Sequence, residues 1–138
     1  MKYVHNVEVM WADCDPARIV FHTHFLRWMD DAANKLFDKA AYGGERLLTE
    51  FGVPGVPLVS VHADFRAAAK LGDCLQIECY VSEFGTKSFT VTHNIRNGDV
   101  LIAEGWQKRV WCQADPDDAG KLTTFPVPDE FKQALAVP

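Results

Sequence analysis

The sequence lacks the features that would place it in several large functional classes. Its Lys and Arg residues form no basic block, and the formal net charge of the 138-residue chain is −5, which argues against nucleic acid as a main partner. No apolar run is long enough to span a bilayer, and the first residues, 1–5, lead into an alternating segment rather than a signal peptide. We therefore expect a cytoplasmic protein with no membrane span.

Common phosphate-binding and nucleophile motifs are absent as well. The chain contains no G-x-G-x-x-G or Walker A loop, which argues against a dinucleotide-dependent or P-loop enzyme. It contains no G-x-S-x-G turn of the kind that presents a serine nucleophile. Any catalysis must therefore use other residues.

Metal ligands are few and scattered. A zinc site needs at least three convergent ligands, and only His22 and His24 lie close together in sequence. Cys14, beside two carboxylates, is a poor nucleophile because its thiolate is disfavoured. We predict no metal and no cofactor, with three cysteines as reduced thiols in apolar strands. The four cysteines are Cys14, Cys74, Cys79 and Cys112.

The composition is that of one globular domain covering residues 1–138. Hydrophobic residues make up 48% of the chain and charged residues 24%, which is the range of folded proteins rather than disordered ones. A chain of this length buries roughly two-thirds of its unfolded surface on folding, so it can form a substantial core. We find no internal repeat, low-complexity tract or linker.

The first half of the chain predicts one strand and one long helix. Alternation from Lys2 to Trp11 indicates a half-buried strand, with Val7, Val9 and Trp11 on one face. Apolar residues then recur at helical spacing from about 22–24 to about 40, and a shorter helix is predicted over 45–51.

The second half predicts strands. Period-two alternation covers 56–66, 74–84, 88–96 and 100–113, and Asn97-Gly98 is a strong hairpin signal between two of them. A polar turn over 115–120 and a helix over 129–135 complete the chain. One long apolar helix among several strands implies an α+β fold, with an antiparallel sheet wrapped around that helix.

The turn between the first strand and the long helix carries the clearest chemical signal. Asp13 and Asp15 flank Cys14, and Pro16 restricts Asp15 to an extended conformation. A carboxylate here can attack an acyl carbon or activate water, while free N–H groups of the following helix stabilise an oxyanion. The alternative, a simple Asx turn joining strand to helix, is the commoner use of Asp-Pro.

His22 lies seven residues after Asp15, at the expected start of the helix. Its ring could hydrogen-bond a carbonyl or position a water, and its backbone N–H could contribute to an oxyanion site strengthened by the helix dipole. The alternative is that His22 and His24 are ordinary residues of the helix entry, with Thr23 as a possible N-cap.

The residues that run from Asp13 to His22, together with Arg27-Trp28-Met29-Asp30, resemble the 4-hydroxybenzoyl-CoA thioesterases, which have the hotdog fold. The similarity continues in order through 55–60, 73–75 and 87–89, and so covers nearly the whole chain. The resemblance implies an acyl-CoA thioesterase acting on an aromatic or short-chain acyl group. Coenzyme A is then part of the substrate rather than a cofactor.

The resemblance also assigns roles. Asp15 corresponds to the catalytic carboxylate, which is either nucleophile or general base, and the backbone N–H of His22 corresponds to the oxyanion donor. Lys87 and Ser88 correspond to positions near the entrance for coenzyme A. Two departures stand out: Arg18 replaces the usual Gly, and Val56 replaces a small polar residue beside the substrate. Arg18 is also a candidate to reach a ligand phosphate or a partner subunit.

Assembly and ligand contacts complete the expectation. The family forms dimers with joined sheets and active sites between subunits, often paired into tetramers, so a homodimer or homotetramer is expected. A non-catalytic protein that binds acyl-CoA or an aromatic ligand is the alternative function. Aromatic residues at helical spacing are more often core than binding site, and the candidates for the pocket lining are Phe21, Phe25, Trp28 and Phe65.

Overall fold

The computed structural model describes residues 1–118 and 120–138. These residues form three α-helices, α1 (Thr23–Lys39), α2 (Gly44–Phe51) and α3 (Asp129–Leu135). The strands are β1 (Lys2–Glu8), β2 (Leu58–Phe65), β3 (Cys74–Phe84), β4 (Ser88–Asn97), β5 (Val100–Val110), β6 (Cys112–Ala114) and β7 (Leu122–Thr124).

Five strands form one antiparallel sheet in the order β1-β3-β4-β5-β2, and β6 and β7 form a separate two-stranded ribbon. The helix α1 packs against β1 and β3 on one face of the sheet. The predicted α+β fold, a sheet wrapped around one long helix, is therefore confirmed. The two free edges of the large sheet are β1 and β2.

The core lies between α1 and the sheet. Both elements place an apolar face there because helical and strand periodicities bring their apolar residues to one side. Each fully buried large apolar side chain contributes about 1.5–3 kcal/mol to folding. From α1 the buried residues are Phe25, Trp28, Met29, Ala32, Ala33, Leu36 and Phe37. From β3 and β4 the buried apolar residues are Leu75, Ile77, Cys79, Val81, Phe89, Val91 and Ile95.

Small side chains set the closest approach of helix and sheet. Ala32 is fully buried, and the Cys79 thiol donates to its carbonyl oxygen at 3.3 Å. Burial, together with the charge of Glu78, raises the pKa of Cys79 to about 12. Cys79 is therefore a packing residue with an inert thiol.

The edge strand β2 approaches β5 unusually closely at Gly105. A Cβ atom at that position would lie 2.0 Å from the carbonyl oxygen of His62. Only glycine allows β2 to pair with β5 at this distance. The pairing fixes Phe65, the last residue of β2, opposite Ala103.

Several element boundaries differ from the sequence prediction. The first strand ends at Glu8, and Trp11 lies in a 3₁₀ turn (Trp11–Asp13) with 70% of its surface exposed, so the predicted extension of the strand to Trp11 is wrong. The strand predicted over 100–113 is interrupted at Trp111, whose N–H donates to Lys87. The predicted turn over 115–120 includes Ala119, which lies outside the described residues.

Two further expectations have mixed outcomes. Cys79 and Cys112 are buried as predicted, whereas Cys74 is exposed because it begins β3 on the outer face of the sheet. None of the helices among the described residues is long and apolar enough to cross a membrane. The cytoplasmic location stays a prediction.

An aromatic cluster attaches α3 to the core. Phe131 is fully buried, and its ring centroid lies 5.0 Å from that of Trp111, 5.1 Å from Tyr42 and 5.3 Å from Phe89. Edge-on and tilted geometries of this kind add to the free energy of burial. The cluster closes the end of the core that lies farthest from the start of α1.

We expect Phe131→Ala to lower the free energy of unfolding by about 3–5 kcal/mol, because it leaves a cavity among four rings. Urea denaturation measures this change. The exposed neighbouring change Glu130→Ala is the matched control and should shift stability by less than about 0.5 kcal/mol. A loss below about 1 kcal/mol for Phe131→Ala would show that α3 contributes little to the core.

Candidate active site

A tight hairpin turn presents the first candidate residue. The Arg18 N–H donates to the Asp15 carbonyl at 2.8 Å, and the Asp15 N–H donates to the Ile19 carbonyl at 3.0 Å. A three-residue hairpin loop of this kind places its last residue in the left-handed region. Arg18 occupies that position with φ of 64°, a conformation that glycine adopts more readily than arginine.

The Asp15 side chain is half-buried, and only one of its two carboxylate oxygens is hydrogen-bonded within the turn. Its Oδ1 accepts the Ala17 N–H at 2.8 Å, which is the Asx turn expected from the sequence. Within the described part of the chain, its Oδ2 accepts no hydrogen bond. The structural and chemical interpretations of Asp15 are therefore compatible, because one oxygen closes the turn and the other is left without a hydrogen bond among the described residues.

Asp13 has the opposite character. It is buried, and its Oδ2 accepts the Met10 N–H at 2.8 Å. Its Oδ1 lies 3.1 Å from Arg27 Nη2 and 3.5 Å from His24 Nδ1, both on the first turns of α1. The Asp13 carbonyl also accepts the Phe21 N–H at 2.9 Å. Asp13 thus fastens the turn to the start of the helix.

The start of α1 supplies the second candidate group. His22 precedes the helix with helical backbone angles, and Thr23 is the first helical residue. Among the described residues, the backbone N–H groups of His22 and Thr23 donate to no protein acceptor. Unpaired N–H groups at a helix start, together with the helix dipole, favour a bound negative charge.

One groove brings these groups together. It has a volume of about 450 Å³, and both Asp15 and His22 line it. Its apolar wall includes Phe25 and Phe65, whose ring centroids are 5.6 Å apart. The other lining residues are Ile19, Val20, Arg66, Ala67, Ala68 and Ala69.

The structure places the other two predicted aromatic contacts, Phe21 and Trp28, in different surroundings. Phe21 does not line the groove; it is 43% exposed, and its ring centroid lies 4.6 Å from that of His22. Trp28 is only 3% exposed and packs edge-on against Phe25 at 5.6 Å. Trp28 therefore supports the groove wall from behind, because its position on α1 faces the core.

Lys87 and Ser88 do not lie at this groove in a single copy of the chain. Ser88 pairs with Val110, whereas Ile95, on the same strand, pairs with Ala103 beside the groove. Seven residues of β4 separate the two ends, a distance of about 23 Å. A contribution from Lys87 or Ser88 requires a second copy.

A buried polar cluster lies beneath the middle of α1. Arg109 is 6% exposed, and its Nη2 lies 2.6 Å from Asp30 Oδ1, which also accepts from Gln107 at 2.8 Å. Arg109 Nη1 donates to the Val56 carbonyl at 3.0 Å. Burial lowers the pKa of Arg109, and Asp30 opposes that effect. Burial also lowers the pKa of the adjacent His93 to about 4, so His93 is neutral near pH 7.

None of the residues predicted from the sequence to form the site belongs to this cluster. The signal was present in the alternation of β5, since Ala103, Gln107 and Arg109 share the buried face. Arg109 also borders a second cavity of about 370 Å³ at the start of β2. The other residues around that cavity are Asn34, Pro54, Gly55, Val56, Pro57 and Leu122.

Comparisons with known proteins agree with this architecture. The family model of the thioesterase-like superfamily matches residues 9–135. The 4-hydroxybenzoyl-CoA thioesterase of Pseudomonas sp. strain CBS-3 is 33% identical over 129 residues, which cover 89% of each chain. The 1,4-dihydroxy-2-naphthoyl-CoA hydrolase of Nostoc punctiforme is 24% identical over 135 residues, 98% of this chain and 87% of that one.

Solved structures give the same result. A crystal structure of a 4-hydroxybenzoyl-CoA thioesterase variant, complexed with 4-hydroxybenzoyl-CoA, matches with a TM-score of 0.88 and 27% identity. The match covers 98% of this chain and 99% of that chain. The chain therefore belongs to the thioesterase-like superfamily of hotdog-fold proteins that includes the 4-hydroxybenzoyl-CoA thioesterases.

Proposed function

We propose that the chain hydrolyses aromatic acyl-CoA thioesters in the groove between the Asp15 turn and the start of α1. One observation carries the proposal: a carboxylate with a free oxygen and a helix start with unpaired N–H groups line the same groove. Thioester hydrolysis needs these two elements, an oxygen nucleophile or base and a stabiliser for the negative charge that develops on the carbonyl oxygen.

Two routes fit this geometry. In the first, an Asp15 oxygen bonds to the thioester carbon, the carbon–sulfur bond breaks, and coenzyme A leaves as a thiolate that takes a proton from solvent. Water then hydrolyses the mixed anhydride to the free acid. In the second, Asp15 removes a proton from a water molecule while the water oxygen bonds to the thioester carbon. The carbon–sulfur bond then breaks, and the proton held by Asp15 passes to the leaving thiolate of coenzyme A. In both routes the His22 N–H donates to the carbonyl oxygen, a role worth on the order of a hundred- to a thousand-fold in rate.

The walls of the groove support an aromatic acyl group. Phe25 and Phe65 supply two tilted rings, and residues 67–69 are alanines, which leave room for a flat substituent. The relative from Pseudomonas is named for a hydroxybenzoyl thioester and the relative from Nostoc for a dihydroxynaphthoyl thioester. A short aliphatic acyl group would fill less of this space.

We expect Asp15→Asn to retain acyl-CoA binding and to lose turnover by about a hundred- to ten-thousand-fold. The Asn side-chain oxygen still accepts the Ala17 N–H, so the turn is preserved while the charged oxygen is lost. A thiol-release assay with benzoyl-, 4-hydroxybenzoyl- and short aliphatic acyl-CoA measures the change, together with binding by calorimetry.

Asp99→Asn, at an exposed hairpin, is the control for that experiment and should leave turnover unchanged. Unchanged turnover in Asp15→Asn would overturn the role of Asp15. Stoichiometric binding with no thiol release by the unaltered protein, over the whole substrate panel, would instead favour the non-catalytic binding protein.

The edge strand β2 supports a homodimer with joined sheets. Its exposed apolar residues include Val59 and Val61, 58% and 47% exposed, on a strand with one unpaired edge. In each copy the second cavity lies at the start of β2 and the groove lies at its end. Antiparallel pairing of two β2 strands therefore brings the second cavity of one copy next to the groove of the other. The same pairing brings Lys87 and Ser88 of each copy, which lie two strands or about 10 Å from β2, towards the groove of the other copy.

We expect Val61→Lys to convert the dimer to monomer and to abolish most turnover, because a charge on β2 opposes pairing of two identical edges. Light scattering coupled to size exclusion measures the mass. Val4→Lys is the matched control, since Val4 is 45% exposed on the opposite edge strand β1. Dissociation by Val4→Lys alone would place the interface at β1 instead.

A further inference from the structure

The Asp15 turn is the tip of a short hairpin whose base lies at the start of α1. Near the tip, the Asp15 N–H donates to the Ile19 carbonyl at 3.0 Å. At the base, the Phe21 N–H donates to the Asp13 carbonyl at 2.9 Å. The candidate carboxylate and the residue that precedes His22 therefore belong to one hydrogen-bonded unit. Whatever holds the base of this hairpin also fixes the distance between the two candidate groups.

The Asp13 side chain holds this base from two directions. Its Oδ2 accepts the Met10 N–H at 2.8 Å, and its Oδ1 accepts from Arg27 Nη2 at 3.1 Å. Arg27 lies just beyond the first turn of α1, so the second bond crosses from the hairpin to the helix. Only 9% of the Asp13 side chain is exposed, and little water competes for a charged hydrogen bond at such a site.

The helix has no fastening of its own at this end. Among the described residues no side chain caps α1, and its first turn contains no acidic residue. Asp13 supplies a carboxylate from outside the helix and binds Arg27 instead of the first N–H groups, so the N–H groups of His22 and Thr23 remain available. Arg27 also compensates the charge of Asp13, which would otherwise oppose a negative charge developing nearby.

We propose that Asp13 is a positioning residue for the reaction: through its bond to Arg27 it holds the His22 N–H at a fixed place relative to the Asp15 carboxylate. The inference rests on the proposed function, because it takes the His22 N–H as the donor to the thioester carbonyl. Asp13 itself is buried and does not line the groove. A displacement of about 1 Å can cost on the order of a hundredfold in rate, so this fastening affects turnover as well as stability.

The turn that precedes β3 offers a matched control. The Asp73 carboxylate accepts the Lys70 N–H at 3.0 Å, and the Asp73 N–H donates to the Lys70 carbonyl at 3.0 Å. Asp13 forms the same two bonds with Met10, at 2.8 Å and 3.0 Å. Among the described residues, the Asp73 side chain forms no hydrogen bond or salt bridge to α1. The two carboxylates therefore close the same kind of turn and differ in the bond to Arg27.

We expect Asp13→Asn to lower kcat for an aromatic acyl-CoA by about ten- to a hundredfold and to change KM by less than about threefold. Asp73→Asn should leave both constants unchanged. Each variant side chain keeps an oxygen for the N–H of its own turn, so both proteins should fold, and thermal unfolding compares their Tm values. Assays are run well below both Tm values. Equal effects of the two variants on kcat, or no effect of Asp13→Asn, would overturn the positioning role.

A double-mutant cycle tests whether Asp13 acts through Arg27. Arg27→Met removes the charged partner and keeps much of the side-chain length, and it should lower kcat to a similar extent as Asp13→Asn. The double variant should lose little more than either single variant, because both changes remove the same bond. Arg27→Lys keeps the charge and should retain most of the turnover. Losses in kcat that multiply in the double variant would show that the two side chains act independently, and would overturn the proposal.

Amide resonances separate this proposal from the proposed function, because they need no turnover. In isotope-labelled protein, Asp13→Asn should shift the amide resonances of His22 and Thr23 and speed hydrogen exchange at the Phe21 N–H by about tenfold or more. Asp73→Asn should change none of these. That pattern supports the positioning role even if no thioester is hydrolysed. Unchanged resonances of His22 and Thr23 in Asp13→Asn overturn it, whatever Asp15→Asn does to turnover.

Discussion

The packing of α1 against the sheet is the contact on which the other features depend. The apolar face of α1 is buried against β1 and β3, and Ala32 lets the helix approach closely enough for the Cys79 thiol to meet its backbone. This contact fixes where the helix starts, and therefore where its unpaired N–H groups point. An oxyanion site needs donors that are already in place before the charge develops, and a helix held along its length by a sheet provides such donors.

The two carboxylates of the turn have different roles: Asp13 stabilises the loop, and Asp15 is the proposed catalytic group. Asp13 is buried, and its carboxylate accepts hydrogen bonds from the Met10 N–H and from Arg27. Its Oδ1 also lies 3.5 Å from His24 Nδ1, so the side chain connects the loop to the start of α1. Asp15 lines the groove, uses one oxygen to close its own turn and leaves the other without a hydrogen bond among the described residues. Although only one residue separates them, the two side chains have different surroundings. Asp13 is buried against the start of α1, whereas Asp15 lines the groove.

In a monomeric domain polar groups are usually exposed and apolar side chains buried. Here polar groups are buried beneath α1, and apolar side chains are exposed on β2. Arg109 and Gln107 converge on Asp30 from the buried face of β5, while Val59 and Val61 are exposed at the sheet edge. A buried ion pair is costly unless its partners are well placed, and here the guanidinium also donates to the Val56 carbonyl. Both features lie beside the start of β2, where the proposed dimer would bring the groove of the second copy.

The sequence by itself determined the α+β class, the order of the three helices and of β1 to β5, and the presence of Asp15 and His22 close together at the start of α1. These follow from periodicity and from short-range turn chemistry, which are local properties; the helix over 129–135 and the strand over 74–84 were predicted to the residue for this reason. Tertiary structure alone decided that, of the four aromatic candidates named from the sequence, Phe25 and Phe65 line the groove while Trp28 supports it from behind, and that Arg109 is buried. Each of these depends on which strands pair and which face meets α1, and residues distant in sequence carry no local signal of those pairings.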